Sequence, residues 1–143
     1  MPLNARPITM DDAADLFFIR GQCFEKNWNL KTFEETIAQP EFVGFIIPQT
    51  AYIIAQKIPP EAELITIAVA PAHRRQGIAE ILLKNLWQNL RQQDIHTLHL
   101  EVNEKLTPAR TLYEKLGFEP TGRRADYYGT GEDAILMRLQ STV

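Results

Sequence analysis

The segment from Leu64 to Ala79 constrains the fold more than any other part of the chain. A run of β-type residues, Leu64-Ile-Thr-Ile-Ala-Val-Ala70, opens directly into Pro71-Ala72-His73-Arg74-Arg75-Gln76-Gly77, and an amphipathic helix starts at once. A buried strand feeding a helix through so short a join belongs to a chain with helices packed on a sheet. The first backbone N–H groups of such a helix have no partner within it, and the helix dipole adds partial positive charge at the same place. Together they form an anion site suited to a phosphate or pyrophosphate. The plainer reading is an ordinary connection in which Gly77 relieves a tight bend, since short glycine motifs are weak signals. Arg74 and Arg75 inside the turn favour the anion.

Elements on either side extend the same pattern. Thr9 and Asp12 form an [ST]-x-x-[DE] capping box that opens a helix with Leu16, Ile19 and Cys23 on its buried stripe. Asn29 caps a second helix whose apolar face is Leu30, Phe33 and Ile37, with Pro40 beyond its end. Phe42–Ile47 and Ala51–Lys57 read as a hairpin turned at Pro48-Gln49-Thr50, and Ile58-Pro59-Pro60 breaks the second strand. Past the strand at 64–70, a helix from about Gly77 to Arg91 carries Ile78, Ile81, Leu82, Leu86 and Leu90 on one side. Thr97–Val102 alternates, with Leu98, Leu100 and Val102 facing one way and Thr97, His99 and Glu101 the other. Thr107 as cap, Pro108 in the first turn and Gly117 after the last frame a short helix. Phe118–Arg123 and Ala134–Leu139 close the sheet. The expected architecture is one α/β domain over residues 1–143, on a mixed sheet.

Composition narrows the function classes. With 143 residues, 45% apolar and 23% charged, the chain suits one globular domain. No apolar run approaches the roughly 20 residues that span a bilayer, and Met1-Pro-Leu-Asn-Ala-Arg-Pro7 lacks the apolar core of a secretory signal. Cys23 is the only cysteine, so no internal disulfide forms and a reducing cytoplasm is expected. A net charge of −3 and pI near 5.6 speak against direct nucleic-acid binding.

Several side chains carry candidate chemistry beside a plainer role. Glu101 is either a solvent-facing charge or a carboxylate at the C-terminal end of its strand, where open sheets place ligands. Tyr113 packs with Ala109 and Leu116 as a core aromatic, or serves as a proton donor, a phenol being protonated at neutral pH. His96 and His99 point to opposite faces of a strand and His73 is remote, so no metal site is expected. Cys23 has no identifiable activating neighbour and reads as a core thiol. Trp28, Tyr127 and Tyr128 are packing aromatics by default, or line a groove. Arg123 and Arg124 read as a solvated pair.

The pattern Arg-x-x-Gly-x-Ala at Arg74–Ala79, set between strand and helix, resembles the acetyl-CoA signature of the GNAT family of N-acetyltransferases. Leu100-Glu-Val102, Leu112-Tyr-Glu-Lys-Leu-Gly-Phe118, Cys23–Phe33 with Trp28, Gly122–Tyr128 and Glu132–Arg138 extend the likeness, the aromatic segments pointing to the RimI-type enzymes. The resemblance covers most of the chain and is best from Glu63 to Leu139. It implies a GNAT-like acyl-CoA N-acyltransferase fold, with a central, mostly antiparallel sheet flanked by helices, and acetyl-CoA as co-substrate. Main-chain groups of Ile67, Ala68 and Val69 would meet the pantetheine arm, and Arg74, Arg75, Gln76, Gly77, Ile78, Ala79 and Glu80 the pyrophosphate.

It further implies Glu101 as general base and Tyr113 as general acid in direct attack within a ternary complex. An α-amine of pKa roughly 7.7–8.0 must lose a proton before it attacks a thioester, and a main-chain N–H near Val69 is placed to steady the oxyanion. The implied partner is a protein or peptide N-terminus, that of protein eighteen of the small ribosomal subunit. A GNAT enzyme for a small amine or a lysine side chain would share the cofactor residues, and a non-catalytic CoA-binding module would lack turnover. One departure stands out: Leu106 occupies the place, five residues after the base, where many members carry an asparagine that hydrogen-bonds the pantetheine. Losing that bond costs roughly 0.5–1.5 kcal/mol, about tenfold in cofactor affinity at most.

Overall fold

Side-chain alternation along the strands builds two separate cores, one on each face of a seven-stranded sheet. The computed structural model describes residues 4–23 and 28–141. Its elements are β1 (Arg6–Pro7), α1 (Ala13–Gly21), α2 (Leu30–Ile37), β2 (Phe42–Ile47), β3 (Ala51–Ile58), β4 (Glu61–Val69), α3 (Ile78–Gln92), β5 (Thr97–Asn103), α4 (Thr107–Lys115), β6 (Glu119–Gly129) and β7 (Glu132–Gln140). The strand order is β1-β2-β3-β4-β5-β7-β6. Every pairing is antiparallel except β4 with β5. This is the expected mixed, mostly antiparallel sheet with flanking helices.

β3 shows how the two cores arise. Its buried run is continuous, and alternate residues point to opposite faces. Ala51, Ile53 and Ala55 join Ile78, Leu82, Leu83, Leu86 and Leu90 of α3 and Tyr113 of α4 on one side. Tyr52 and Ile54 join Leu16 and Ile19 of α1 and Phe33 of α2 on the other. A fully buried leucine or isoleucine is worth about 1.5–3 kcal/mol, so these positions hold the helices in place. Among the described residues no helix is long and apolar enough to cross a membrane.

The structure departs from the sequence expectations in local ways. The Asp12 carboxylate accepts the Thr9 backbone N–H at 2.8 Å, but the box opens a single 3-10 turn, Met10–Asp12, that runs into α1. Because α1 ends at Gly21, Cys23 lies beyond the helix rather than on its stripe. Asn29 caps α2 through its side chain, accepting from the Thr32 N–H at 2.8 Å, while Leu30 is exposed. On α3 the buried position is Leu83, with Ile81 only half-buried. Thr107 is the first residue of α4, and Leu106 occupies the cap without a side-chain bond. β1 and the outer half of β6, Arg124–Gly129, carry too little apolar alternation to stand out in the sequence. Met1–Leu3 of the opening segment and Phe24–Asn27 of the Trp28 segment lie outside the described residues.

Candidate active site

The turn ahead of α3 is built from backbone. Pro71–His73 forms a 3-10 turn, after which Arg75 (φ +65°) and Gly77 (φ +74°) take left-handed conformations. Gly77 is the N-cap of α3. The first amide to bond within the helix is that of Ile81, which donates to the Gly77 carbonyl at 3.2 Å. The N–H groups of Ile78, Ala79 and Glu80 therefore lack intrahelical acceptors. A Cβ at Gly77 would meet nothing within 4 Å, so the space above the turn is open. Ile78 itself is buried as the first anchor of α3.

Of the side chains expected at the anion, two face elsewhere. The Arg74 Nε–H donates to the Val69 carbonyl at 3.1 Å. The Glu80 carboxylate accepts from Lys115 at 2.8 Å and pairs with Lys84 at 2.9 Å, which holds it at about 2, Lys115 contributing most. Glu80 thus has its amide at the turn and its charge neutralised, tying α3 to α4. Arg75 and Gln76 are exposed in the turn.

A cleft leads away from this turn because two parallel strands part company. β4 and β5 pair only at Glu61↔Thr97, Ala62↔Leu98 and Glu63↔His99. Just beyond, Ile65 forms a bulge, the register with β3 stepping from Ile54↔Thr66 to Ala55↔Leu64. Bulges bend and re-aim a strand. Past this point β4 keeps β3 on one edge and opens on the other. The Ala70 N–H donates to the Thr50 carbonyl at 2.8 Å. In an antiparallel ladder that phase spends the backbone groups of Ala68 on β3 and turns those of Ile67 and Val69 into the cleft. Of the three expected strand residues, Ile67 and Val69 therefore turn their main-chain groups toward the cleft, and Ala68 does not. The Val69 carbonyl is already shared, since the Cys23 thiol also donates to it at 3.3 Å.

Glu101 and Tyr113 lie on opposite faces of β5. Leu98, Leu100 and Val102 point into the α3–α4 core, so Glu101 points to the other face. There it borders a groove of about 210 Å³ with Glu63, His99, Thr121, Arg124 and Leu136. Tyr113 is buried against Phe118, ring centroids 5.6 Å apart, and burial pushes its phenol up to about 12, with a lesser contribution from Tyr128. Tyr128 is the shared neighbour, its own phenol raised by burial, then by the Glu101 carboxylate and then by Tyr127. Tyr127 and Tyr128 meet edge to face at 5.0 Å and both are exposed. Tyr113 thus packs as the core aromatic of the plainer reading, with its phenol protonated at neutral pH.

Arg123 and Arg124 are both exposed, as expected of a solvated pair, but each also meets a carboxylate. Arg123 bonds the carboxylates of Glu104 and Asp133. Asp133 also accepts the Asp126 N–H at 2.8 Å, and that bond, with Arg123, holds its carboxyl below the usual range. Arg124 Nη2 lies 3.3 Å from Glu101 Oε1, and its guanidinium sits 5.5 Å from the Tyr127 ring centroid. No local pattern announces this pairing, because the partners are on strands that are not sheet neighbours. The remaining candidates pack as the plainer reading has it. Trp28 rests 4.9 Å from Phe33 with the Arg20 guanidinium 5.1 Å from its ring centroid, and His99 bonds Glu61. Among the described residues no group of three or more His, Cys, Asp or Glu is placed to hold a metal ion.

Comparison with known proteins agrees with this geometry. Residues 13–118 match the model of the acetyltransferase (GNAT) family. The chain is 38% identical over 119 residues, 78% of its length and 80% of the relative's, to the [ribosomal protein bS18]-alanine N-acetyltransferase of Escherichia coli strain K12. It is 36% identical over 117 residues to the protein of that description from Haemophilus influenzae, covering 79% of this chain and 72% of the relative. The crystal structure of the Escherichia coli ribosomal-protein alanine N-acetyltransferase superposes with a TM-score of 0.89 at 31% identity, over 98% of this chain and 94% of that one.

Proposed function

Since this chain belongs to the acetyltransferase (GNAT) family and is an acetyl-CoA-dependent N-acetyltransferase, we propose that residues 1–143 act as one domain that acetylates a protein's N-terminal α-amine. The favoured acceptor is an alanine-starting ribosomal protein, the class named for the relatives at 36–38% identity. The observation that carries the reading is the parting of β4 from β5, which joins the amide turn on one face to Glu101 on the other. A long thioester entering from the α3 side and an amine entering from the Glu101 side meet only there.

Acetyl-CoA supplies the activated acetyl group as a thioester. The amides of Ile78, Ala79 and Glu80, with Gly77 beneath them, hold the pyrophosphate. Ile67 offers its main-chain groups to the pantetheine arm, and the Val69 N–H, its carbonyl being taken by Arg74 and Cys23, is the donor available to the oxyanion. Glu101 accepts the proton of an ammonium with pKa roughly 7.7–8.0, directly or through one water. The amine lone pair then attacks the acyl carbon, the C–S bond breaks to release the coenzyme A thiolate, and the nitrogen's second proton passes to that thiolate or to solvent. Tyr113, at about 12, keeps its proton through the working pH range. Full transfer to a thiolate of pKa about 8.5 is uphill by roughly 5 kcal/mol, so Tyr113 acts as a hydrogen-bond donor to the sulfur as charge builds there.

The experiment is turnover of acetyl-CoA with an alanine-starting peptide and with the same peptide blocked at its N-terminus. Acetylation of the free peptide alone is expected. Equal acetylation of the blocked peptide moves the acceptor to a side chain, and no turnover with either removes the reading.

A further inference from the structure

We infer that Arg124 is a placeholder for the acceptor's ammonium: it pairs with Glu101 while the acceptor site is empty, and the incoming α-ammonium takes its place. The inference rests on the functional reading above and adds a positioning residue to it. Two neighbouring arginines on β6 behave differently. Arg123 is pinned by two carboxylates, Glu104 and Asp133. Arg124 pairs with one carboxylate, Nη2 to Glu101 Oε1 at 3.3 Å, with its side chain 54% exposed and that of Glu101 24%. So open an ion pair is weak and easily exchanged. A second resting place is close by, for the guanidinium already lies 5.5 Å from the exposed Tyr127 ring, where a cation is stabilised by the ring face.

The charges facing the site support an exchange. From β4 the groove receives Glu63, from β5 His99 and Glu101, and from β6 Arg124. A like-for-like swap of guanidinium for ammonium leaves the carboxylate of Glu101 compensated before and after binding, so the base is never left alone. Arg124 keeps that carboxylate aimed at the cleft until an amine arrives, and so competes with the substrate. In chemical terms the site discriminates for a cationic amine small enough to displace a guanidinium from a single carboxylate.

Steady-state kinetics on the whole enzyme with an alanine-starting peptide tests this. Arg124→Gln should lower the peptide KM by up to about fivefold, the fold-change equivalent to an exposed ion pair of roughly 1 kcal/mol. The KM for acetyl-CoA and the melting temperature should stay as in the wild type. Arg124→Lys restores a competing cation and should bring the peptide KM back up. The difference between wild type and Arg124→Gln should shrink in high salt, which screens exposed charges. A peptide KM unchanged or raised in Arg124→Gln overturns the placeholder and leaves the functional reading intact. Absence of turnover in the wild type overturns both.

Discussion

On the proposed reading, the turn before α3 and the groove around Glu101 solve the same problem, holding a charged ligand, with different materials. The turn uses main-chain amides from one stretch, Gly77–Glu80, and its shape depends on left-handed backbone at Arg75 and Gly77. The groove uses polar side chains from three elements, with Glu63 on β4, His99 and Glu101 on β5, and Arg124 on β6. A backbone-built site tolerates most side-chain changes and breaks at the residue that sets its conformation. A side-chain-built site has no such tolerance, since each member contributes a distinct atom.

Four substitutions probe that difference. The largest effect is expected from Glu101→Gln, which keeps shape and removes the proton acceptor. The peptide kcat should fall at least about a hundredfold, the lower range for a general base, while calorimetry shows coenzyme A bound as before. A loss smaller than tenfold would place the base elsewhere. Gly77→Val comes next and should act in the opposite sense, on affinity rather than turnover. A β-branched residue at φ +74° costs more than ~1–2 kcal/mol, and with open space above Gly77 the cost is conformational. Coenzyme A affinity should drop roughly tenfold or more, with kcat at saturation largely kept.

Tyr113→Phe removes one donor and should lower kcat about tenfold, in line with roughly 1–1.5 kcal/mol for a hydrogen bond. It has a second readout in stability. The folded phenol, at about 12, lies above its unfolded value near 10. The native state therefore holds that proton more tightly, and the contribution is complete below pH 10 and lost as pH rises to 12. Thermal melts across that window should be less steep in Tyr113→Phe than in the wild type, although Tyr52, also raised by burial, keeps part of the slope. Leu106→Asn should give the smallest change. Asparagine supplies the missing cap of α4, worth about 0.5–1 kcal/mol, and a side-chain donor for the pantetheine arm, worth up to about tenfold in coenzyme A affinity. A rise in melting temperature without tighter binding would restrict Leu106 to its structural place.

The strand, turn and helix of the proposed cofactor half were legible in the chain because their determinants are contiguous. The strand run Leu64–Ala70, the Arg74–Ala79 pattern and the α3 periodicity sit side by side, and each reports on its neighbours through local geometry. Even there the sequence did not foresee that Arg74 would fold back onto Val69 or that Glu80 would turn to Lys115 and Lys84. Both are long side chains whose direction depends on what packs beside them. The acceptor half was legible only as single residues. Glu101 and Tyr113 stood out, but Arg124 read as solvated because its partner is 23 positions away on a strand separated from it by β7.

The amino-acid sequence by itself determined the mixed sheet, its helices and the amide turn, since periodicity, capping residues and a glycine in left-handed backbone act over a few neighbours. Tertiary structure alone decided where β4 leaves β5, which of Ile67, Ala68 and Val69 keeps its backbone groups free, and which cation meets Glu101. Those outcomes depend on a register shift at Ile65 and on the strand order β5-β7-β6. Register and strand order come from pairing between distant segments, and no local property of either segment specifies its partner.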